Sequence, residues 1–169
     1  MLRILIPVDG SRASLDAVNH VLLLNRRGQE PMKVNLVNVQ PRLSRYVSRF
    51  VPLANRDSFR KEGTQKALQQ AREMLDKAAI QYDVVVRQGD TAESIADCAR
   101  EVGAHKIVMG TARKNALMRL FEDSVTTRVI ELSMVPVEVI ARAQPNLLER
   151  FGIPAGVGTV VALMLLAED

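Results

Sequence analysis

Short apolar runs that resemble β-strands alternate with segments of helical periodicity over most of this chain, and this alternation restricts its fold most. Five runs rich in valine, isoleucine and leucine are predicted as strands: Leu2–Val8, Met32–Val39, Asp83–Val86, Lys106–Met109 and Val135–Ile140. Four segments with apolar residues at helical spacing are predicted as helices: Ser14–Asn25, Ser58–Gln81, residues 92–102 and Ala116–Ser133. Parallel strands joined through helices form a sheet that is covered on both faces. We therefore expect an α/β fold with a five-stranded parallel sheet.

Polar residues follow the first and third predicted strands and indicate where the next helices begin. Asp9-Gly10-Ser11 forms a turn that can cap the first helix. The sequence Thr91-Ala-Glu-Ser94 predicts a capping box at the start of helix 92–102. Each of these helices is therefore expected to start close to the end of the strand before it.

The composition is that of an ordinary globular domain, with 47% hydrophobic and 25% charged residues. The formal net charge of +4 is compatible with an anionic ligand. Aromatic residues make up 4% and tryptophan is absent, so base-stacking surfaces for nucleic acid are not expected. Cys98, the single cysteine, excludes an internal disulfide and fits a reducing compartment. The first apolar run is too short for a signal peptide, so we expect a cytoplasmic protein.

The junction between the fourth strand and the next helix has the pattern of an anion-binding loop. Residues 107–124 read IVMGTARKNALMRLFEDS, in which the apolar strand ends at Gly110. A glycine there lets the backbone approach a phosphate, and the free N–H groups of the following helix point toward it. The spacing from Gly110 through Arg113 to Asp123 and Ser124 is G-x2-R-x9-D-S. It closely resembles the phosphate loop of the universal stress protein family, G-x2-G-x9-G-[ST], with the second and third glycines replaced.

Other junctions resemble the same family, and together they cover about residues 2–140. Ile6–Ser11 is similar to the family's first strand and turn, in which the acid at the Asp9 position contacts the adenosine end of ATP. A helix cap or turn former is the alternative role for Asp9. Val37-Asn38-Val39 is similar to the second strand, which contacts adenine in the family. Gly89-Asp90 is similar to the turn after the third strand.

The resemblance implies an adenine nucleotide alpha hydrolase-like, Rossmann-like fold. It also implies a site for ATP, ADP or AMP at the carboxyl ends of the strands. The candidate nucleotide-binding residues are Pro7, Val8, Asp9, Val37, Asn38, Val39, Gly89, Met109, Gly110, Arg113, Asp123, Ser124 and Val125.

Two departures from the family's phosphate loop predict that ATP binding is weak or absent. Arg113 carries a side chain where glycine permits close approach, although its guanidinium can also pair with a phosphate. Asp123 places a carboxylate near the phosphates and repels them. Asp123 can also cap a helix with Ser124, or form an ion pair with Arg113. AMP, ADP or another adenosine ligand remains open because the Asp9 end matches the family.

No pattern for catalysis or for metal binding is present in the sequence. His20 and His105 are far apart, and most such histidines are surface or interface residues. HExxH, CxxC and Walker-loop motifs are missing. Cys98 falls on the predicted buried face of a helix. We therefore expect a non-catalytic binding protein, with slow nucleotide hydrolysis at most, and no metal site.

Three segments are candidates for association. Members of the family commonly dimerise through the last strand, here Val135–Ile140, so a homodimer is expected. We divide the chain into a domain of residues 1–141 and an extension of residues 142–169. The extension contains an apolar run, residues 151–167. This run either packs on the domain or inserts into a membrane, in which case the protein would be a membrane-associated regulatory subunit. A basic stretch, which binds anionic lipid or nucleic-acid phosphates or is a solvated loop, contains Arg42, Arg45, Arg49, Arg56, Arg60 and Lys61.

Overall fold

A computed structural model describes residues 1–28, 31–40, 53–111 and 125–141, and for residues 53–61 it describes the backbone alone. Five strands and four helices alternate along these residues. The strands are β1 (Leu2–Pro7), β2 (Met32–Gln40), β3 (Tyr82–Gln88), β4 (Lys106–Thr111) and β5 (Val137–Ala141). The helices are α1 (Arg12–Arg26), α2 (Leu53–Lys77), α3 (Thr91–Glu101) and α4 (Val125–Leu132).

The strands form one parallel sheet in the order β3-β2-β1-β4-β5, which confirms the predicted fold class. One face of the sheet packs under α1 and α2, where Ile4, Leu36 and Leu68 are fully buried. The other face packs under α3 and α4, where Leu5 and Ile107 are fully buried. Alternating residues of the central strands therefore enter two separate cores, as expected for strands buried on both faces.

Several predicted boundaries were wrong by a few residues. Helix α2 ends at Lys77 instead of Gln81, because Ala79 adopts a left-handed φ of 53° and the Ile80 N–H donates to the Leu75 carbonyl over 3.1 Å. Strand β4 continues through Gly110 to Thr111, whereas the apolar pattern ended at the glycine. The first part of the predicted helix Ala116–Ser133 lies outside the described residues.

The last strand also begins later than predicted, at Val137 instead of Val135. The residues before it form a local turn, in which the Ser133 hydroxyl donates to the Val135 carbonyl over 2.7 Å. The same hydroxyl accepts from the Val135 N–H over 3.1 Å. Because these bonds engage both the N–H and the carbonyl of Val135, neither group pairs with a neighbouring strand, and β5 begins after this turn.

Helix starts follow the predicted turns, with one correction. Ser11 caps α1, since its hydroxyl accepts from the Ser14 N–H over 3.2 Å. Asp90, not Thr91, caps α3, and its Oδ1 accepts from the Glu93 N–H over 3.0 Å. A carboxylate at this position satisfies a helix N–H that has no partner inside the helix.

Glu138 brings a partly buried cluster of polar side chains to the edge strand β5. Its Oε1 lies 2.6 Å from His20 Nε2 on α1, and its Oε2 lies 2.7 Å from Lys106 Nζ on β4. The Glu138 side chain is 16% exposed and that of His20 13%. His20 is therefore largely buried beside the Glu138 carboxylate and not a surface residue, while His105 is exposed as predicted.

The side chains of the basic stretch up to Lys61 and the whole extension 142–169 lie outside the described residues. The predictions made for these two segments therefore stay predictions. Within the described ranges, no helix is both long enough and apolar enough to cross a bilayer.

Candidate functional site

A cleft of about 170 Å³ opens at the carboxyl ends of β1, β2 and β4. From β1 the chain adds β2 and β3 on one side of the sheet and then β4 and β5 on the other. The cleft lies at β1, where the order of the strands reverses. Ligands of open α/β sheets bind at such points. The described residues that line it are Pro7, Val8, Asp9, Ser11, Ser14, Val37, Val39, Thr91, Ile95, Met109, Gly110, Val125 and Thr126.

The floor of the cleft is apolar. Val37 is fully buried, Val8 and Ile95 are 2% and 1% exposed, and Met109 is 6% exposed. The Val8 N–H donates to the Val37 carbonyl over 2.8 Å, which fixes the end of β1 against β2 just beyond the paired strands. These aliphatic side chains offer a rigid surface suited to a flat, apolar ligand group.

The turn from β1 to α1 places a carboxylate at the rim. Asp9 Oδ1 accepts from the Ser11 N–H over 2.9 Å, and Ser11 in turn caps α1. Partial burial raises the pKa of Asp9, but hydrogen bonds from the Ser11 side chain and backbone and from Ser14 outweigh it and leave the pKa below its usual value. Asp9 is therefore ionised at neutral pH, with one oxygen engaged in the turn.

Gly110 has a packing role that the sequence did not reveal. A Cβ at this position would lie 1.7 Å from the carbonyl oxygen of Ala13 and 2.3 Å from its carbonyl carbon. The first turn of α1 thus rests directly on β4 where the side chain is missing. The approach of a phosphate to Gly110 stays a prediction, and the group that the structure places on its side-chain side is the backbone of α1.

Two further helix starts form the opposite wall. Thr91 and Ile95 come from the first turns of α3, and Val125 and Thr126 open α4. Ser11 and Ser14 bring the start of α1 to the same cleft. The dipole at a helix start favours negative or oxygen-rich ligand groups, although the N–H groups of Ser14 and Glu93 are already bonded to the caps of α1 and α3.

An ion pair joins α3 and α4 beside this wall. Arg128 Nη1 donates to Asp90 Oδ2 over 2.8 Å, and its Nη2 lies 3.8 Å from Glu93 Oε1. The Glu93 N–H and the Arg128 guanidinium hold the pKa of Asp90 below its usual value. The hydrogen bond to Asp90 and the negative charge of Asp90 raise the pKa of Arg128. The pair is exposed to solvent, with 46% of the Arg128 side chain accessible.

Asn38 and Gly89 do not belong to the described lining of the cleft. Asn38 points to the opposite face of β2, where its Nδ2 donates to the Val8 carbonyl over 2.6 Å and its Oδ1 accepts from Thr64 over 3.3 Å. Gly89 lies after β3, at the sheet edge, and its N–H donates to the Gln40 carbonyl over 3.2 Å. Both hold the strand ends in place.

The structure therefore brings together Pro7, Val8, Asp9, Val37, Val39, Met109, Gly110 and Val125 from the predicted set. Arg113, Asp123 and Ser124 lie outside the described residues. Sequence reasoning missed Ser11, Ser14, Thr91, Ile95 and Thr126 as lining residues. Their position in the first turns of helices that follow sheet strands was the available signal.

Other reactive groups lie apart from the cleft. Cys98 is fully buried in α3, and burial raises the pKa of its thiol. His105 accepts from the Arg3 N–H through Nδ1 over 3.0 Å, near the opposite ends of β1 and β4. Among the described residues, no group of three or more His, Cys, Asp or Glu side chains could hold a metal ion.

Comparison with known proteins gives consistent matches. Residues 1–141 match the model of the universal stress protein family. The universal stress protein MJ0531 of Methanocaldococcus jannaschii is 31% identical over 147 residues, which are 83% of this chain and 82% of that protein. A family structure from Burkholderia pseudomallei is 26% identical with a TM-score of 0.62, covering 82% of this chain and 94% of its own.

One solved structure of similar shape carries a nucleotide. A universal stress protein family protein of Arabidopsis thaliana, solved with AMP bound, has a TM-score of 0.62 and covers 85% of this chain and 93% of its own. It is 16% identical, so this likeness shows the shared fold alone.

Proposed function

This chain belongs to the universal stress protein family, and we propose that it is a non-catalytic regulatory protein whose cleft is a degenerate adenine-nucleotide site. The observation that carries this proposal is the combination, in one cleft, of a buried aliphatic floor and the ionised carboxylate of Asp9. An adenine ring fits the floor, and the carboxylate can accept from an amino or hydroxyl group. The AMP bound to the Arabidopsis thaliana relative supports the same ligand class.

Charge argues against tight binding of a triphosphate. Asp9 is the one charged side chain in the described lining, and it is negative. In the sequence, Asp123 adds a second carboxylate where family members carry glycine. If Asp123 stands beside the phosphates, as its place in the family's phosphate loop implies, its charge adds to that of Asp9 in opposing a ligand that carries several negative charges. We therefore expect adenosine and AMP to bind better than ATP.

Calorimetric titration with adenosine, AMP, ADP and ATP tests this proposal. The expected result is binding of adenosine and AMP with weak or absent binding of ATP. Two variants separate the causes: Asp123→Asn removes the charge and keeps a side chain, whereas Asp123→Gly also restores the glycine. ATP binding regained by both would identify the charge as the obstacle.

Tight ATP binding by the unsubstituted protein would contradict the degenerate-site proposal and favour a nucleotide-dependent switch. If adenosine and all three nucleotides fail to bind to the unsubstituted protein and to both variants, the cleft is not a nucleotide site. Absence of ATP turnover in the same samples would support the non-catalytic assignment.

We also propose that the protein acts as a homodimer through β5. This strand is an edge of the described sheet, and an unpaired edge is a template for pairing with a second copy. Met134, next to the strand, is 83% exposed, and Leu132 is 45% exposed. A Met134→Asp variant should shift the protein from dimer to monomer in sedimentation equilibrium, whereas a monomeric unsubstituted protein would contradict the proposal.

A further inference from the structure

The ion pair between Arg128 and Asp90 connects the two helix starts that wall the cleft. Asp90 immediately precedes Thr91, and Arg128 lies two positions after Thr126; both threonines line the cleft. The contact joins α3 to α4, and on the α3 side it directly adjoins the lining residue Thr91. Glu93, one turn into α3, is a second carboxylate near the same guanidinium.

The two oxygens of Asp90 have separate tasks. Oδ1 caps α3 through the Glu93 N–H, and Oδ2 accepts from Arg128. The guanidinium can therefore leave without breaking the helix cap. Exposed ion pairs of this kind contribute little to stability, so the cost of release is small.

A phosphate is a better partner for this guanidinium than the carboxylates that now hold it. A phosphate monoester carries close to two negative charges and offers several acceptor oxygens, and its pairs with arginine are often bidentate. The cleft itself supplies no cation from its described lining. Arg128, whose partner Asp90 directly precedes the lining residue Thr91, would bring a phosphate a positive charge that this described lining lacks.

We propose that Arg128 is a specificity-determining residue of the cleft, held by Asp90 and Glu93 when the site is empty and transferred to the phosphate of a bound nucleoside monophosphate. This inference rests on the proposed function. Because Asp90 and Glu93 compete with the ligand for Arg128, they set the preference of the cleft for AMP over adenosine. The transfer exchanges ion-pair partners, and no covalent bond changes.

The test compares the dissociation constants of AMP and adenosine by calorimetry. Asp90→Asn keeps a good helix cap and weakens the hold on Arg128. It should strengthen AMP binding by about 2-fold to 5-fold, the range that an exposed ion pair is worth, and leave adenosine binding unchanged. Arg128→Gln should weaken AMP binding by a similar factor, again without changing adenosine. Arg128→Lys, which keeps the charge, should retain part of the AMP preference.

The double variant distinguishes transfer of Arg128 from simple removal of a negative charge. If Asp90 acts by holding Arg128, Asp90→Asn has little effect on AMP once Arg128→Gln is present. If the charge of Asp90 itself repels the phosphate, Asp90→Asn still strengthens AMP binding in the Arg128→Gln protein, and the proposal is overturned. The matched controls are Asp97→Asn and Arg100→Gln, which alter an exposed ion pair farther along α3 and should leave AMP binding unchanged.

Failure of the inference can be told from failure of the proposed function. If adenosine binds but the ratio of AMP to adenosine affinity is the same in all variants, Arg128 has no part in specificity and the function stands. If neither ligand binds the unsubstituted protein, the nucleotide site is refuted and this inference falls with it. Circular dichroism of each variant establishes that it is folded before titration.

Discussion

Replacing Gly110 by alanine is expected to destabilise the protein strongly, although alanine is normally tolerated better than glycine in a strand. The new Cβ would lie 1.7 Å from the carbonyl oxygen of Ala13, far inside the 3.0 Å that real Cβ atoms keep. The obstructing atoms belong to the backbone, so no side-chain rotation relieves the clash. The first turn of α1 would have to move by more than about 1 Å, in a region packed to the density of an organic crystal.

The expected loss is about 3 kcal/mol of unfolding free energy, because overpacking usually costs about 1 to 3 kcal/mol and here the clash is with main chain. Gly63 provides a matched control, because the same substitution there should raise the free energy of unfolding instead of lowering it. It lies inside α2, and no atom of the described residues comes within 4 Å of a Cβ placed there. Gly63→Ala should therefore gain about 0.5 to 1 kcal/mol from the better helix propensity of alanine.

Equilibrium urea denaturation of the three proteins measures both effects. The midpoint should fall for Gly110→Ala and rise for Gly63→Ala, with similar slopes. A Gly110→Ala protein within about 0.5 kcal/mol of the unsubstituted one would refute the packing role of this glycine. If that variant were stable and lost only AMP binding, Gly110 would serve ligand approach alone.

Three further predictions concern ionisable side chains. Because the folded pKa of Asp9 lies below its usual 3.8, its ionised form stabilises the protein above about pH 4, and this contribution is lost as the pH falls through the folded pKa. Urea midpoints measured on acidification should therefore fall less for Asp9→Asn than for the unsubstituted protein. Glu138→Gln leaves Lys106 and His20 without their common carboxylate and should cost about 1 to 3 kcal/mol in the same assay; an unchanged midpoint would contradict the partly buried cluster. Burial and a raised thiol pKa should make Cys98 unreactive toward a thiol reagent until the protein unfolds, and rapid labelling of the folded protein would contradict its position in α3.

The sheet and its helices could be predicted because local patterns and global packing agree. The valine-rich and isoleucine-rich runs are strands that enter two cores, and the amphipathic segments cover them. Helix ends were less predictable. The left-handed turn at Ala79 ends α2 without the glycine that usually marks such a position. Asp90 and Thr91 are both good caps, and only the structure decides between them.

The strand residues of the candidate site could be predicted from the sequence. The contacts between elements that are far apart in the sequence could not. The alternation of β2 indicates that Val37 and Val39 share one face and Asn38 the other, and the hydrogen bond from Thr64 of α2 to Asn38 agrees with this. The contact between Gly110 and Ala13 joins residues far apart in sequence, and no local pattern reveals it. The same holds for the ion pair between Arg128 and Asp90, which depends on how α3 and α4 pack.

Methyl NMR with AMP tests the central claim, that the cleft at the ends of β1 and β4 is the ligand site. In a sample with labelled methionine, valine and leucine methyl groups, AMP should shift the signals of Val8, Val37 and Met109, which line the cleft. The signals of Val21 and Leu75, buried in the core under α1 and α2, should stay in place. Shifts confined to methyl groups away from the cleft, or no shifts at millimolar AMP, would contradict this account of the protein.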